Sequence, residues 1–390
     1  MSHGKSIIAS VTSTQLIRSY MPELDSARGL AILAVLLLHG TALPLHGQLS
    51  PFGKLLLAVA EGGAIGVNLF FVLSGFLITG ILLDARKSAD YFRRFYIRRA
   101  LRILPAFYAT LLLLVVGGLI SWSFVALSFL FLANSTFLFG MALEYGPFWS
   151  LAVEEHFYLL WPSVVRRFSA RALILAASFV VAASPLLRGA AFMAGKSTGP
   201  APLYTWFNLD GLALGALLAI WARQPSFRRQ QFFRVGLPLL AAGVVACALV
   251  PNHALTEAAF LSTARNAACA GFLSCMLLLG TSRWKFLVDV SVLKFFGFIS
   301  YGLYLVHALA FHTTDLLFSR VLATLVASGY PTAGMLLRLL TGTGIAVVFA
   351  YLSRRSLEER FLRMGFASRT GPIAAKTETP APGSVTALPS

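Results

Sequence analysis

LDSARGLAILAVLLLHG, residues Leu24 to Gly40, decides how this chain is read. It places charges at Asp25 and Arg28, runs through ten uncharged and almost wholly apolar residues, and then sets an imidazole, His39, inside what reads as a membrane-spanning helix. An ionisable group in hydrocarbon costs a few kcal/mol on insertion scales, so such a residue marks a functional site facing the protein interior or a wet cavity. The competing reading is a neutral histidine satisfied by a neighbouring helix.

The rest of the chain agrees with a membrane setting. Of 390 residues, 57% are hydrophobic and 12% charged, and the mean hydropathy is +0.77, outside the range of soluble globular domains. The net charge of +17 suggests nucleic-acid binding at first sight. The basic residues, however, lie between apolar runs of about twenty residues, which is the pattern of cytoplasmic loops facing anionic lipid headgroups. The first apolar segment has no small-residue cleavage site behind it and is read as retained in the membrane. Cys247, Cys269 and Cys275 fall in apolar runs without metal-ligand company, so neither a disulfide framework nor a metal site is expected.

The expected fold is all-α: a polytopic bundle of about ten transmembrane helices, at approximately 28–44, 60–83, 103–120, 149–165, 172–190, 205–222, 235–251, 256–280, 295–312 and 333–352. Charge sets that count. Residues 123–142 are apolar enough to cross, but a crossing there would throw Arg166, Arg167 and Arg171 outside. Residues 121–148 are therefore assigned to a re-entrant or outer hairpin between spans three and four. The cytoplasmic side then holds 26 of the 32 Lys and Arg, which places both termini in the cytoplasm. Three regions follow: a cytoplasmic segment 1–23, a membrane domain 24–365, and a tail 366–390 rich in Ala, Pro, Thr, Ser and Gly that is expected to be disordered. There is no internal repeat to support an inverted-repeat transporter.

Helical rise gives each intramembrane polar group a depth from the cytoplasmic charge ending its span. His39 and Glu155 both come out at roughly 16 Å, Glu154 slightly further, Ser74 at roughly 18 Å, and Asp210 and His307 at roughly 20 Å. Groups at one depth can share protons and hydrogen bonds, so a buried site assembled from several helices is expected. Each has a plainer reading. Ser74 could be a small packing residue beside Gly75, Asp210 could be interfacial, and only one of the adjacent Glu154 and Glu155 should face the site. His46, His156, His253 and His312 are read as structural or loop residues.

Between spans two and three runs DARKSADYFRRFYIRRALRILP, with seven basic residues in positions 86–102. Headgroup anchoring alone would account for it. Yet Arg98, Arg99 and Arg102 stand at the entrance to span three, and Arg99 and Arg102, three apart on one helical face, suit bidentate contacts to phosphate. Coenzyme A fits: its phosphates would stay at this loop while the pantetheine arm reaches the polar layer. No Walker loop or dinucleotide fingerprint competes.

With these residues in view, the chain resembles the membrane-bound acyltransferase 3 family over roughly residues 20–355. The pieces carrying the resemblance are Leu24 to His39, FFVLSGFLI at 70–78, RRALRILPAFY at 98–108, FWSLAVEEHFYLLWP at 148–162 and ISYGLYLVH at 299–307. The resemblance implies a multi-pass enzyme of the bacterial cytoplasmic (inner) membrane that O-acylates sugars of lipopolysaccharide, exopolysaccharide and related glycans. It implies acyl-CoA, expected to be acetyl-CoA, as a donor substrate rather than a resident cofactor. Arg28 and His39 become the paired essential residues, with Glu154 or Glu155 supporting them, and Arg98, Arg99 and Arg102 serve the donor. Ser74, Asp210, Tyr301 and His307 join as candidate substrate-binding positions, with no metal. Carbohydrate acceptor and membrane lipids are the expected partners, nucleic acid is not. The chain departs from the family pattern in LDSARG for LDGLRG, in His156 for glutamine, and in Asn208 for an arginine before the aspartate of DGLALG, a change that puts a partner for Asp210 in doubt.

The expected chemistry is acyl transfer to a sugar hydroxyl, with His39 as general base or transient acyl carrier and a glutamate balancing the imidazolium. The alternative is a proton-coupled transporter or flippase of a lipid-linked glycan, with His39, the glutamates and His307 as a proton relay.

Overall fold

A computed structural model describes residues 18, 20–42, 48–195, 203–228, 230–250 and 253–367. The expectations for residues 1–17, for His46 and for the tail beyond 367 lie outside the described residues.

The first helix, α1 (Pro22–Thr41), starts six residues earlier than hydropathy alone places it. Proline at its first turn needs no donor there, and Glu23 and Asp25 complement the positive end of the helix dipole. Next come α2 (Pro51–Glu61), a 3-10 turn at Gly62–Ala64 and α3 (Ile65–Asp84), so the second expected span is the continuation of a longer, broken rod. The helix α4 (Tyr91–Val116) absorbs most of the basic stretch assigned to a loop, and only residues 85–90 remain as the turn. Between α4 and α6 (Phe148–Arg167) lie a short helix, α5 (Trp122–Phe129), and a 3-10 helix at Ala133–Phe139. Ser121 caps α5 and is itself held by Glu144 at 2.6 Å.

The chain continues through α7 (Ala170–Met193), α8 (Thr205–Trp221), α9 (Gln230–Leu249), α10 (Ala254–Leu279) and α11 (Ser291–Leu317). It ends with α12 (Ser319–Ala327), α13 (Pro331–Ser353), a π-helical turn at Arg354–Glu358 and α14 (Glu359–Ala367). The described residues are mostly helical and contain no strand. Among the described residues, seven segments are long and apolar enough to cross a membrane by length and composition, which makes this a multi-pass membrane chain. The remaining long helices fall short for visible reasons: α8 has 17 residues, and α6 and α10 are diluted by polar groups such as Glu154, Glu155, Arg265 and Asn266.

Two glycine contacts set the frame around the centre. A Cβ at Gly29 of α1 would lie 1.9 Å from the Leu293 carbonyl oxygen of α11, and one at Gly297 of α11 would lie 2.0 Å from that of Asp25. The same reciprocity joins α3 to α8, where Cβ atoms at Gly75 and Gly215 would meet the carbonyl oxygens of Leu212 and Val72 at 1.9 and 2.0 Å. Backbones this close are the small-residue packing that replaces a hydrophobic driving force between helices in lipid. Around these two pairs, α7 packs on α8, α9 on α10, and α13 on α11. The larger apolar core fills the space among α1, α3, α4, α6 and α11 with Phe71, Phe107, Phe148, Ile78 and Leu303.

Candidate active site

The polar groups do not form one layer. They separate into an arginine-glutamate chamber at one level and a histidine pair further along the same two helices.

The chamber is a cavity of about 870 Å³, counted to its open mouth, walled by α1, α3, α4, α6 and α11. Arg28, Ser74, Arg99, Arg102, Glu154 and Tyr301 all stand in its wall. The carboxylate of Glu154 is fully served: Ser74 Oγ donates to Oε1 at 2.9 Å and Tyr158 Oη donates to Oε2 at 2.8 Å. Ser74 is thus a carboxylate ligand, and the close packing once open to it falls to Gly75. Arg28 pairs with Asp25 at 2.7 Å within the first turns of α1. Tyr301 donates to the Ile103 carbonyl at 2.7 Å, tying α11 to α4 just past the arginines. Glu155 is not among the residues of the chamber wall, and its buried Oε1 has no hydrogen-bond partner among the described residues.

A second, open cavity of about 1480 Å³ lies at the arginine-rich end, with Arg94, Arg98, Arg99, Arg102 and Leu362 in its wall. Arg99 and Arg102 belong to both walls, so they stand where the two spaces meet. The Arg99 guanidinium stacks 5.1 Å from the Tyr158 ring centroid and 6.0 Å from that of Phe95. Neither Arg99 nor Arg102 hydrogen-bonds a protein acceptor among the described residues. Half-buried guanidiniums with open N–H groups beside a cavity have the chemistry to hold an anion.

His39 lies outside that chamber wall. It sits in the last turn of α1, is exposed, and holds Nδ1 2.9 Å from the Val35 carbonyl. Eleven residues from Arg28 are three turns of helix, roughly 16 Å along and only about 20° around, so both side chains leave the same face of α1. His307 of α11, 1% exposed, meets His39 with ring centroids 4.9 Å apart. Its Nδ1 lies 2.7 Å from the Tyr304 carbonyl, and its buried Nε2 has no partner among the described residues. Tyr304, one turn back, lines the chamber and shares a hydrogen bond with Ser150 at 2.5 Å. Along α11, then, Tyr301, Tyr304 and His307 run from the chamber to the histidines.

Asp210 is elsewhere, and its partner is present. Arg188 of α7, 6% exposed, reaches it at 3.1 Å, and Thr263 of α10 donates to it at 2.6 Å. The doubt raised by Asn208 is thereby corrected: the counter-charge comes from α7 rather than from the neighbouring turn. The cluster faces α7 and α10, away from the chamber. His156, read as structural, lies 2.6 Å from Thr205 Oγ1.

Tyr158, Asp315 and Arg338 escaped the sequence reading. Tyr158 stands four residues after Glu154, one helical turn along the same face, which is a signal the sequence carries. Arg338 is a basic residue deep in an apolar run, the kind that marks a buried partner. It binds Asp315 through Nε at 2.6 Å and Nη2 at 3.0 Å, while Nη1 donates to the carbonyls of His39 and Gly40 at 2.6 and 3.0 Å.

The sequence is similar to those of known proteins. Over 170 residues, 39% of this chain, it is 33% identical to the peptidoglycan O-acetyltransferase OatA of Listeria monocytogenes, covering 25% of that protein. Over 167 residues, 37% of the chain, it is 35% identical to the Bacillus subtilis protein named "Putative peptidoglycan O-acetyltransferase YrhL", covering 23% of it. The chain thus spans about a quarter of the length of the curated relatives it matches. No solved structure matches it. The family model described as "Acyltransferase domain" matches residues 21–355, which takes in the chamber, the arginines and the histidine pair, and the chain belongs to the acyltransferase 3 family.

Proposed function

We propose that this protein transfers an acyl group, acetyl in the expected case, from acyl-CoA to a hydroxyl of a glycan, across a bacterial cytoplasmic membrane crossed by ten helices with both termini inside. The observation that carries this reading is the pair of open guanidiniums, Arg99 and Arg102, standing between an outward-opening cavity and a chamber, with an exposed imidazole three turns further along the helix that supplies Arg28. Charged phosphates would rest against Arg98, Arg99 and Arg102 at the cytoplasmic end, and the thioester would enter through the chamber. Peptidoglycan, the acceptor in the names of two relatives, is the glycan to try first.

A sugar hydroxyl is a poor nucleophile while it keeps its proton. With Nδ1 committed to Val35, the free nitrogen of His39 is Nε2, which accepts the hydroxyl proton as the oxygen attacks the thioester carbonyl. The C–S bond then breaks, and the thiolate takes up the proton as free CoA thiol leaves. In the two-step version Nε2 itself carries the acyl group between donor and acceptor. Glu154, held by Ser74 and Tyr158, balances the guanidiniums around it once the donor phosphates have gone.

The test is release of free CoA thiol from acetyl-CoA by purified protein in lipid vesicles, with and without a peptidoglycan-derived acceptor, for wild type and His39→Ala. Acceptor-stimulated release that disappears in the variant is the expected result. Absence of release from folded protein, or substrate translocation without thiol release, would replace the transferase with a transporter.

A further inference from the structure

The far end of α1 is clamped by a group that neither the chamber nor the histidine pair explains. Helix α1 ends at Thr41 with no side-chain cap at its N-terminus and an irregular residue, Ala42, at its C-terminus. Its last carbonyls would lie unmade in a low-dielectric setting, where each unsatisfied group costs several kcal/mol. Arg338 of α13, 7% exposed, closes two of them: Nη1 donates to His39 O at 2.6 Å and to Gly40 O at 3.0 Å. Asp315 of α11 fixes the other edge of the guanidinium through both its oxygens. Phe311 lies under it, 5.1 Å from centroid to Cζ, and the same ring abuts Gly40, where a Cβ would come within 3.0 Å.

We infer that Arg338, locked by Asp315, is a positioning residue for His39. The inference rests on the transferase reading, in which His39 is the reacting imidazole. Arg338 grips the carbonyl of His39 itself, which fixes the peptide plane beside its Cα, and Val35 fixes the ring through Nδ1. Two constraints at the two ends of one residue leave Nε2 pointing in a single direction. The Asp315 side chain is 39% exposed, and a partly exposed ion pair contributes little net stability, so the value of this one lies in geometry. A lysine at 338 would keep the charge but could not span a carboxylate and two carbonyls at once, because only the guanidinium is a planar fork.

The experiment uses the full-length protein in lipid nanodiscs and two readouts, for wild type, Arg338→Lys and Asp315→Asn. The first is steady-state thiol release. Arg338→Lys is expected to lower kcat on the order of tenfold or more, as misplacing a reacting group does, with the donor KM within about twofold. The second is carbethoxylation by diethyl pyrocarbonate, read residue by residue by mass spectrometry. Loosening the clamp should raise labelling of His39 severalfold and leave His253 and His312 unchanged. Asp315→Asn should move both readouts in the same direction by less. Wild-type kcat together with wild-type labelling in folded Arg338→Lys would overturn the inference, as would a rise in donor KM at unchanged kcat. If wild type itself releases no thiol, the transferase reading fails, while His39 labelling still decides whether Arg338 holds that residue.

Discussion

His39 and His307 meet edge to face, with ring centroids 4.9 Å apart and planes at 66°, and each commits its Nδ1 to a main-chain carbonyl. Both rings are left with Nε2 as the free nitrogen, and that of His307 is buried without a partner among the described residues. A buried acceptor with nothing to accept from calls for an explanation. In the proposed reaction a proton arriving on His39 supplies one, because it puts a second donor on the ring that packs against His307. His307→Phe keeps the ring and loses the lone pair. It should reduce turnover by about ten- to a hundredfold, the usual range for a proton-handling group, while binding of acyl-CoA measured by calorimetry stays as in wild type. Normal turnover in His307→Phe would show that the pair is only a packing contact.

At the other end, Arg99 and Arg102 are predicted to act on donor affinity. A hydrogen bond between charged groups contributes about 1.5–3 kcal/mol, so Arg102→Ala should raise the KM for acetyl-CoA by roughly ten- to a hundredfold with a smaller change in kcat. Arg99→Lys keeps the charge but gives up planar stacking on Tyr158 and Phe95, and its KM should fall between those of wild type and Arg102→Ala. Equal losses of kcat in both variants at unchanged KM would move these residues from donor binding to the chemical step.

Ser74 and Gly75 are neighbours with opposite duties, and substitution separates them. Ser74→Ala removes one donor to Glu154 and should cost about 1 kcal/mol, a several-fold fall in turnover with the fold intact. Gly75→Ala forces a Cβ to within 1.9 Å of the Leu212 carbonyl oxygen, so α3 and α8 must part. Thermal unfolding in detergent should show Ser74→Ala near wild type and Gly75→Ala strongly destabilised, and the reverse order would contradict the packing described.

The Arg188 and Asp210 pair is predicted to matter for stability and not for chemistry. Arg188→Ala leaves a buried carboxylate with only Thr263 beside it, and breaking such a pair costs about 3–5 kcal/mol. The double variant Arg188→Met, Asp210→Asn should recover much of that loss. Turnover per folded molecule should be close to wild type in the double variant, which comparing activity with the folded fraction from size-exclusion chromatography will check.

Much of this architecture could be read from hydropathy, because apolar runs and arginine punctuation are local. The carboxylate at 154 stands out because intramembrane charge is rare, and the arginines at 99 and 102 stand out by their helical spacing in a basic stretch. Grouping them was harder. Depth counted from the nearest arginine treats every helix as upright and straight, whereas Pro105, Pro162, Pro185 and Pro238 interrupt four of them and tilt is set by packing. His39 and Glu154 therefore come out within about 2 Å of one depth yet belong to different parts of the site. Arg188 with Asp210 and Arg338 with Asp315 join different helices 22 and 23 residues apart, pairings that no local pattern announces. The basic stretch before span three reads as a loop by its charge. In the fold it is the first three turns of α4, which is why Arg99 and Arg102 share a face.

In the proposed reaction the donor enters at the arginine end and the acceptor hydroxyl meets His39 at the other. The direct measurement is acetyl transfer in sealed vesicles with protein of one orientation, acetyl-CoA confined to the side of the arginine-rich cavity, and a membrane-impermeant peptidoglycan fragment confined to the opposite side. Acetylated fragment on that opposite side, absent with His39→Ala, is the result this account predicts. Product formed only when donor and fragment share the same side would contradict it.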